Sequence, residues 1–196
     1  KSASILAPII ALSVSAALIT ITVVVIEPVA KQYQYASYGY SVSDGLYYKY
    51  QDEGDGISVF DYRSDTDGEY VRVPAELDGN RVVSISSGAF DYTNITGISL
   101  PSGITEIPEN AFQGCCWLQE VQLPDTLRTI GACAFQNCAS LTDVQLPASL
   151  EVIESQAFSG CFMLESVSAA EQSNLIIGAD AFRDTGLEFA SQTLSQ

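Results

Sequence analysis

The 196-residue chain carries 24 acidic against 8 basic side chains, a formal net charge of −16, and contains no histidine. Binding nucleic acid by phosphate neutralisation needs lysine and arginine, so this charge excludes it. The lack of histidine excludes Ser-His-Asp and Cys-His catalysis and histidine-ligated zinc.

Residues 1–4 are a short flank. Residues 5–26, ILAPIIALSVSAALITITVVVI, hold no charge. A helix of ~22 residues at ~1.5 Å each spans ~33 Å, enough for the ~30 Å hydrocarbon core of a bilayer. The run is longer than the ~7–15 residues of a usual secretory h-region. Pro28-Val29-Ala30 also puts proline where a cleavage site wants a small residue. The segment therefore reads as an uncleaved transmembrane signal-anchor helix, with a cleaved signal peptide as the alternative. Its β-branched residues are no obstacle, because in lipid the backbone must satisfy itself. Ala7, Ala11 and Ser15 form a small-residue row of the kind that packs membrane helices together. Lys1 and Lys31 flank the segment and oppose each other, so charge says little about orientation. Residues 27–45 read as a juxtamembrane linker with Tyr33, Tyr35, Tyr38 and Tyr40; the first pair suits an interfacial belt, the second pair the start of a strand.

Residues 46–73 read as a β-hairpin cap. LYYKY, ISVFDY and YVRV alternate like strands, with Gly- and Asp-bearing turns between them. The turns around Asp52–Gly56 and Asp65–Glu69 are acidic, but neither has the ligand register of a calcium loop, so both read as plain turns. Asn94-Ile95-Thr96 matches a glycosylation sequon, a pattern common by chance.

From residue 74 to 187 one block recurs. ITGISLPSGITEIPENAFQGCCW, LQEVQLPDTLRTIGACAFQNCAS and LTDVQLPASLEVIESQAFSGCFM start at Ile95, Leu118 and Leu141; a weaker copy starts at Leu164, and Leu187 stands where a fifth begins. A fixed period in this range means a solenoid. Phe recurs at Phe90, Phe112, Phe135, Phe158 and Phe182, each after an Ala and five residues after an Ile. Apolar–polar alternation closed by Leu-Pro reads as a short strand ended by proline. One block cannot bury its own apolar side, so stacked copies must share a core with like residues over like. The hairpin would then cover the open edge of the first coil. Residues 188–196 remain as a tail.

The motifs L-x-x-V-x-L-P, I-x-x-x-A-F and G-C resemble those of the BspA-like, Treponema pallidum-type leucine-rich repeats of bacterial surface proteins. The fold expected is mainly β: a leucine-rich-repeat solenoid with an N-terminal β-hairpin cap, preceded by one transmembrane helix. The copies depart from the pattern at the ends. Ala169-Ala170 replaces Leu-Pro, and the turns FDYTNI and FRDTGL are one residue short and lack cysteine. The resemblance implies non-catalytic adhesion or protein binding at the cell membrane, with the repeats outside and an extracellular protein or glycan as partner. The alternative is a repeat ectodomain of a larger sensory or enzyme-associated surface protein.

Cys115, Cys138 and Cys161 are 23 residues apart and form a ladder, with Thr93 and Thr185 in the same place in the two Cys-less turns. A position shared by Cys and Thr is one of size, so these are expected as buried free thiols. No C-x-x-C pair suggests zinc, and neither a cofactor nor a metal is expected. In each strand the residues between the apolar ones should point outward. That set is Thr96, Gly97 and Ser99; Gln119, Glu120 and Gln122; Thr142, Asp143 and Gln145; Glu165, Ser166 and Ser168. Solenoid curvature would make it a concave binding surface. The set holds no aromatic or arginine, so weak polar binding is expected.

Overall fold

The computed structural model describes residues 41–43, 46–52, 54–63, 68–169 and 174–187. The chain divides between Tyr38 and Gly39, and every described residue belongs to the second unit. The expected signal-anchor segment 5–26, its small-residue row, the flank 1–4 and the tail 188–196 lie outside the described residues. Among the described residues there is no helix, and none is long and apolar enough to cross a membrane. The end of the expected linker forms a strand, β1 (Ser41–Ser43), antiparallel to β2 (Leu46–Asp52).

Five coils repeat. Their first strands are β4 (Tyr70–Arg72), β7 (Gly97–Ser99), β9 (Glu120–Gln122), β11 (Asp143–Leu146) and β13 (Ser166–Ala169). These pair in parallel as β4–β7–β9 and β11–β13, with Val71 over Ile98 over Val121 and Val144 over Val167. A second parallel column holds β8 (Glu106–Ile107), β10 (Thr129–Ile130), β12 (Val152–Ile153) and β14 (Ile176–Ile177). Between coils the Phe turns are also joined by backbone hydrogen bonds. The Phe112 N–H donates to Ala134 O at 2.8 Å, Phe135 to Ala157 at 2.7 Å and Phe158 to Ala181 at 2.8 Å. Each coil thus satisfies its polar backbone on its neighbour, as a buried backbone must.

The Phe column is the axis of the core. Phe90, Phe112, Phe135 and Phe158 are fully buried. Successive ring centroids from Phe90 to Phe182 lie 5.3, 5.1, 5.1 and 5.3 Å apart, and the rings become nearly parallel along the series. That spacing follows the ~4.8 Å separation of paired strands and lies in the favourable range for aromatic pairs. The Ile column (Ile85, Ile107, Ile130, Ile153) and the Leu column (Leu118, Leu141, Leu164) are buried beside it.

Backbone turns frame each Phe. Two residues before it φ is positive at Gly88, Asn110, Cys133, Gln156 and Asp180; two residues after it, at Tyr92, Gly114, Asn137, Gly160 and Asp184. Asn and Asp tolerate this region best among side-chain-bearing residues. Cys133 therefore stands in a column of turn residues and apart from the thiol ladder.

The cap extends the same stack. β2 forms an antiparallel hairpin with β3 (Ile57–Arg63), and β3 runs parallel to β6 (Asn80–Ile85), with Val59 opposite Ile85. β6 also pairs antiparallel with β5 (Glu76–Leu77). The Tyr62 ring lies 5.2 Å from Phe90, and Tyr48 lies 5.6 Å from Tyr62. Two tyrosines thus continue the phenyl column, their hydroxyls donating outward to Glu69 Oε2 and Arg72 O. The third strand expected in the cap does something else: β4 opens the first coil and pairs with β7.

The cysteines behave as a packing column. Cys115 Sγ donates to Phe90 O at 3.0 Å, Cys138 Sγ to Phe112 O at 3.2 Å and Cys161 Sγ to Phe135 O at 3.1 Å. Thr93 Oγ1 donates to Phe90 O and Thr185 Oγ1 to Phe182 O, each within its own turn, so at the ends the hydroxyl takes the same position but bonds its own coil instead of the one before. Burial pushes the Cys115 thiol up to about 11, against the lowering pull of Thr93.

Truncating Phe135 to Ala should cost ~3–5 kcal/mol, a large part of the ~5–15 kcal/mol of a typical domain. Thermal melts should show Phe135→Ala far below Gln122→Ala; equal small shifts would contradict a load carried by the ring stack. Alkylation at pH 8 should label the exposed Cys116 first, since a thiol of pKa about 11 is ~0.1% thiolate there. Denatured, non-reduced protein should titrate as five free thiols. A mass matching a Cys115–Cys138 or Cys138–Cys161 disulfide would refute the ladder.

Candidate functional site: the strand face

The β4–β7–β9 and β11–β13 strands present one side chain column through Tyr70, Gly97, Glu120, Asp143 and Ser166, and another through Arg72, Ser99, Gln122, Gln145 and Ser168. Gln119, Glu120, Gln122, Asp143, Gln145, Glu165, Ser166 and Ser168 are exposed, while Thr96, Ser99 and Thr142 are half-buried. Gln122 Nε2 donates to Glu120 Oε1 at 2.9 Å, and Thr142 Oγ1 to Asp143 Oδ2 at 2.8 Å. Thr96 Oγ1 turns back to Gly68 O at 3.0 Å.

Two expectations for this face change. Gly97 is buried: the Tyr70 ring lies across it, and a Cβ there would collide with the ring. The face also has an aromatic and an arginine after all, because β4 adds Tyr70 and Arg72 to it. The Arg72 guanidinium carbon sits 4.9 Å from the Tyr70 ring centroid, a cation–π geometry. The Tyr70 hydroxyl is buried and has no hydrogen-bond partner among the described residues. Burial and the nearby Glu120 carboxylate raise the phenol above its ordinary range, while Arg72 pulls the other way.

A signal for these residues was present. Val71-Arg72-Val73-Pro74 is the V-x-L-P strand with Val for Leu. The β5–β6 excursion lengthens the path from this strand to Phe90, which hides the 23-residue period. Chemically the face offers hydrogen-bonding amides and carboxylates beside one rigid aromatic–guanidinium pair. Among the described residues no group of three or more His, Cys, Asp and Glu side chains is placed to hold a metal ion.

The family model of the BspA type leucine rich repeat region matches residues 83–194 in six copies. A leucine-rich repeat protein from Bacteroides capillosus is 26% identical with a TM-score of 0.57, the match covering 68% of this chain and 99% of that one. The pneumococcal vaccine antigen PcpA is 23% identical with a TM-score of 0.56, covering 74% of this chain and 47% of PcpA. A leucine rich cell surface protein from Faecalibacterium prausnitzii is 21% identical with a TM-score of 0.52, covering 76% of this chain and 47% of its own. No curated protein matches the chain. With over half its length matched in successive copies, and with the coils that those copies require, the chain belongs to the BspA-type leucine-rich repeat family.

Proposed function

We propose that the chain is a non-catalytic binding domain displayed on a bacterial cell surface, single-pass anchored through residues 5–26, with the repeats outside. It engages an extracellular protein or glycan through the strand face. The observation that carries the binding assignment is the Tyr70–Arg72 pair at one end of that face, with a buried Tyr70 hydroxyl lacking a partner among the described residues. Tyr and Arg are among the residues that most often anchor interfaces, and a buried unpaired hydroxyl is expected to find a partner. The exposed Gln and Glu columns below would supply polar contacts of modest strength. Many copies on one cell would then add avidity. The surface assignment is supported by the charge-free ~22-residue run and by the description of the Faecalibacterium relative as a cell surface protein.

The binding test is capture from candidate surface proteins and glycans by the full chain. Tyr70→Ala with Arg72→Ala should weaken a captured ligand at least about tenfold, the scale of a lost hot spot. Gln122→Arg with Gln145→Arg should weaken it too. The Arg128–Glu151 ion pair bridges two coils outside this face. Exchanging it (Arg128→Glu, Glu151→Arg) should leave binding intact, and the reverse pattern would move the site off the strand face. For anchoring, the chain should stay with membranes through a carbonate wash; recovery from the medium beginning near Lys31 would show a cleaved signal.

A further inference from the structure

Seven large apolar side chains are exposed among the described residues, and three of them, Trp117, Phe162 and Met163, fall at one corner of the coil, with Tyr92 in the turn column before it. This edge is the corner where each Phe turn leads into the next strand of the face. Tyr92 is 70% exposed, with its ring lying over Gly114, where a Cβ would strike it. Trp117, Ser140 and Met163 occupy the same place in three successive coils, as do Cys116, Ala139 and Phe162. The outer two coils expose Trp117 (61%), Phe162 (64%) and Met163 (55%). The middle coil offers only Ala139 and Ser140, and the Ser140 hydroxyl is turned back to Cys116 O at 2.7 Å. The edge is a ladder of large apolar groups with one step left out.

The missing step has a definite size. Coils are ~4.8 Å apart, so the flanking walls stand ~9.6 Å apart. A flat ring placed midway would lie ~4.8 Å from each wall, within the range aromatic pairs favour. Inside the core the phenyl rings stack at 5.1 Å across the same coils. The surroundings have one sign of charge. No Lys or Arg occurs between Arg128 and Arg183, while Asp143 and Glu165, which follow this corner directly in their coils, are exposed. An anionic bilayer or a second copy of this −16 chain is repelled by such a surface.

We propose that the notch over Ala139 and Ser140 receives an aromatic side chain from a lysine- or arginine-rich segment of another protein, which completes the outer ladder while its cations meet the acidic coils. Trp, Phe and Met are enriched in protein interfaces, and a ring seated between two apolar walls is the desolvated anchor that dominates them. This site is separate from the Tyr70–Arg72 end of the strand face.

Trp117 is the chain's one tryptophan, so its emission reports on this notch alone. The probe is a synthetic nonapeptide of alternating lysine and glycine with a central phenylalanine, titrated into the full chain. The expected result is a saturable blue shift. Changing the peptide's phenylalanine to serine, or its lysines to glutamates, should weaken binding at least about tenfold. Ser140→Phe, which fills the notch, and Met163→Ser, which removes a wall and keeps the reporter, should each do the same with melting temperatures close to that of the parent. Tyr70→Ala with Arg72→Ala should leave the titration unchanged, so a failure of the strand-face reading is separable from a failure here. The proposal is overturned if the native peptide gives no saturable shift. It is equally overturned if the serine peptide binds as well, or if both notch variants retain full binding. A shift produced by phosphatidylglycerol vesicles in place of the peptide, or by self-association with rising protein concentration, would assign the edge to lipid or to a second copy and also overturn it.

Discussion

Ring-on-ring stacking along the Phe column is the interaction on which the rest of this molecule depends. Backbone hydrogen bonds set the distance between coils, and phenyl rings stack well at that distance, with centroids 5.1–5.3 Å apart. The two requirements agree, so a single residue choice can be repeated coil after coil without strain. No coil is stable alone, because each ring is covered by the rings of the neighbouring coils. The consequence appears at the N-terminal end, where Tyr62 and Tyr48 supply the rings that a further coil would have supplied. At the other end Phe182 is only half-buried and Ile177 is exposed.

The same register explains features that look chemical in isolation. Three aligned cysteines suggest redox or metal chemistry until their thiols are seen donating to the Phe carbonyl of the preceding coil. Threonine takes the same position at the terminal turns and donates to the Phe carbonyl of its own coil. Cys133, outside the ladder, sits where the backbone turns left-handed and its column mates are Gly, Asn, Gln and Asp. In each case the column, rather than the residue, carries the meaning.

If the core is where copies agree, distinctive surface chemistry arises where they differ. Tyr70 and Arg72 occupy strand positions that hold Gly97 and Ser99, then Glu120 and Gln122, in the next two coils. Gly97 is what lets the Tyr70 ring lie flat on its neighbour, since any side chain would hold it off. Ala139 and Ser140 likewise stand out only beside Trp117, Phe162 and Met163. Both features come from a substitution in one coil read against the coil above or below it.

The sequence by itself determined the coil period, the buried Phe, Ile and Leu columns, the size-selected Cys/Thr position and most of the strand residues that face outward. These follow from periodicity, and periodicity is local information repeated. Most of the candidate face was legible for the same reason: Glu120, Gln122, Asp143 and Gln145 fall between core residues of unmistakable strands and are exposed. Tertiary structure decided three matters. It moved YVRV from the cap into the first coil, because β4 finds its hydrogen bonds on β7 and the longer β5–β6 path obscures that register. It buried Gly97 under Tyr70, a contact between strands 27 positions apart in sequence. It set Trp117 and Met163 two coils apart across a pair of small residues, which matters only once the coil spacing is converted into a distance in space. Pattern in a chain specifies which residues share a column; only the stacked coils specify what each one touches.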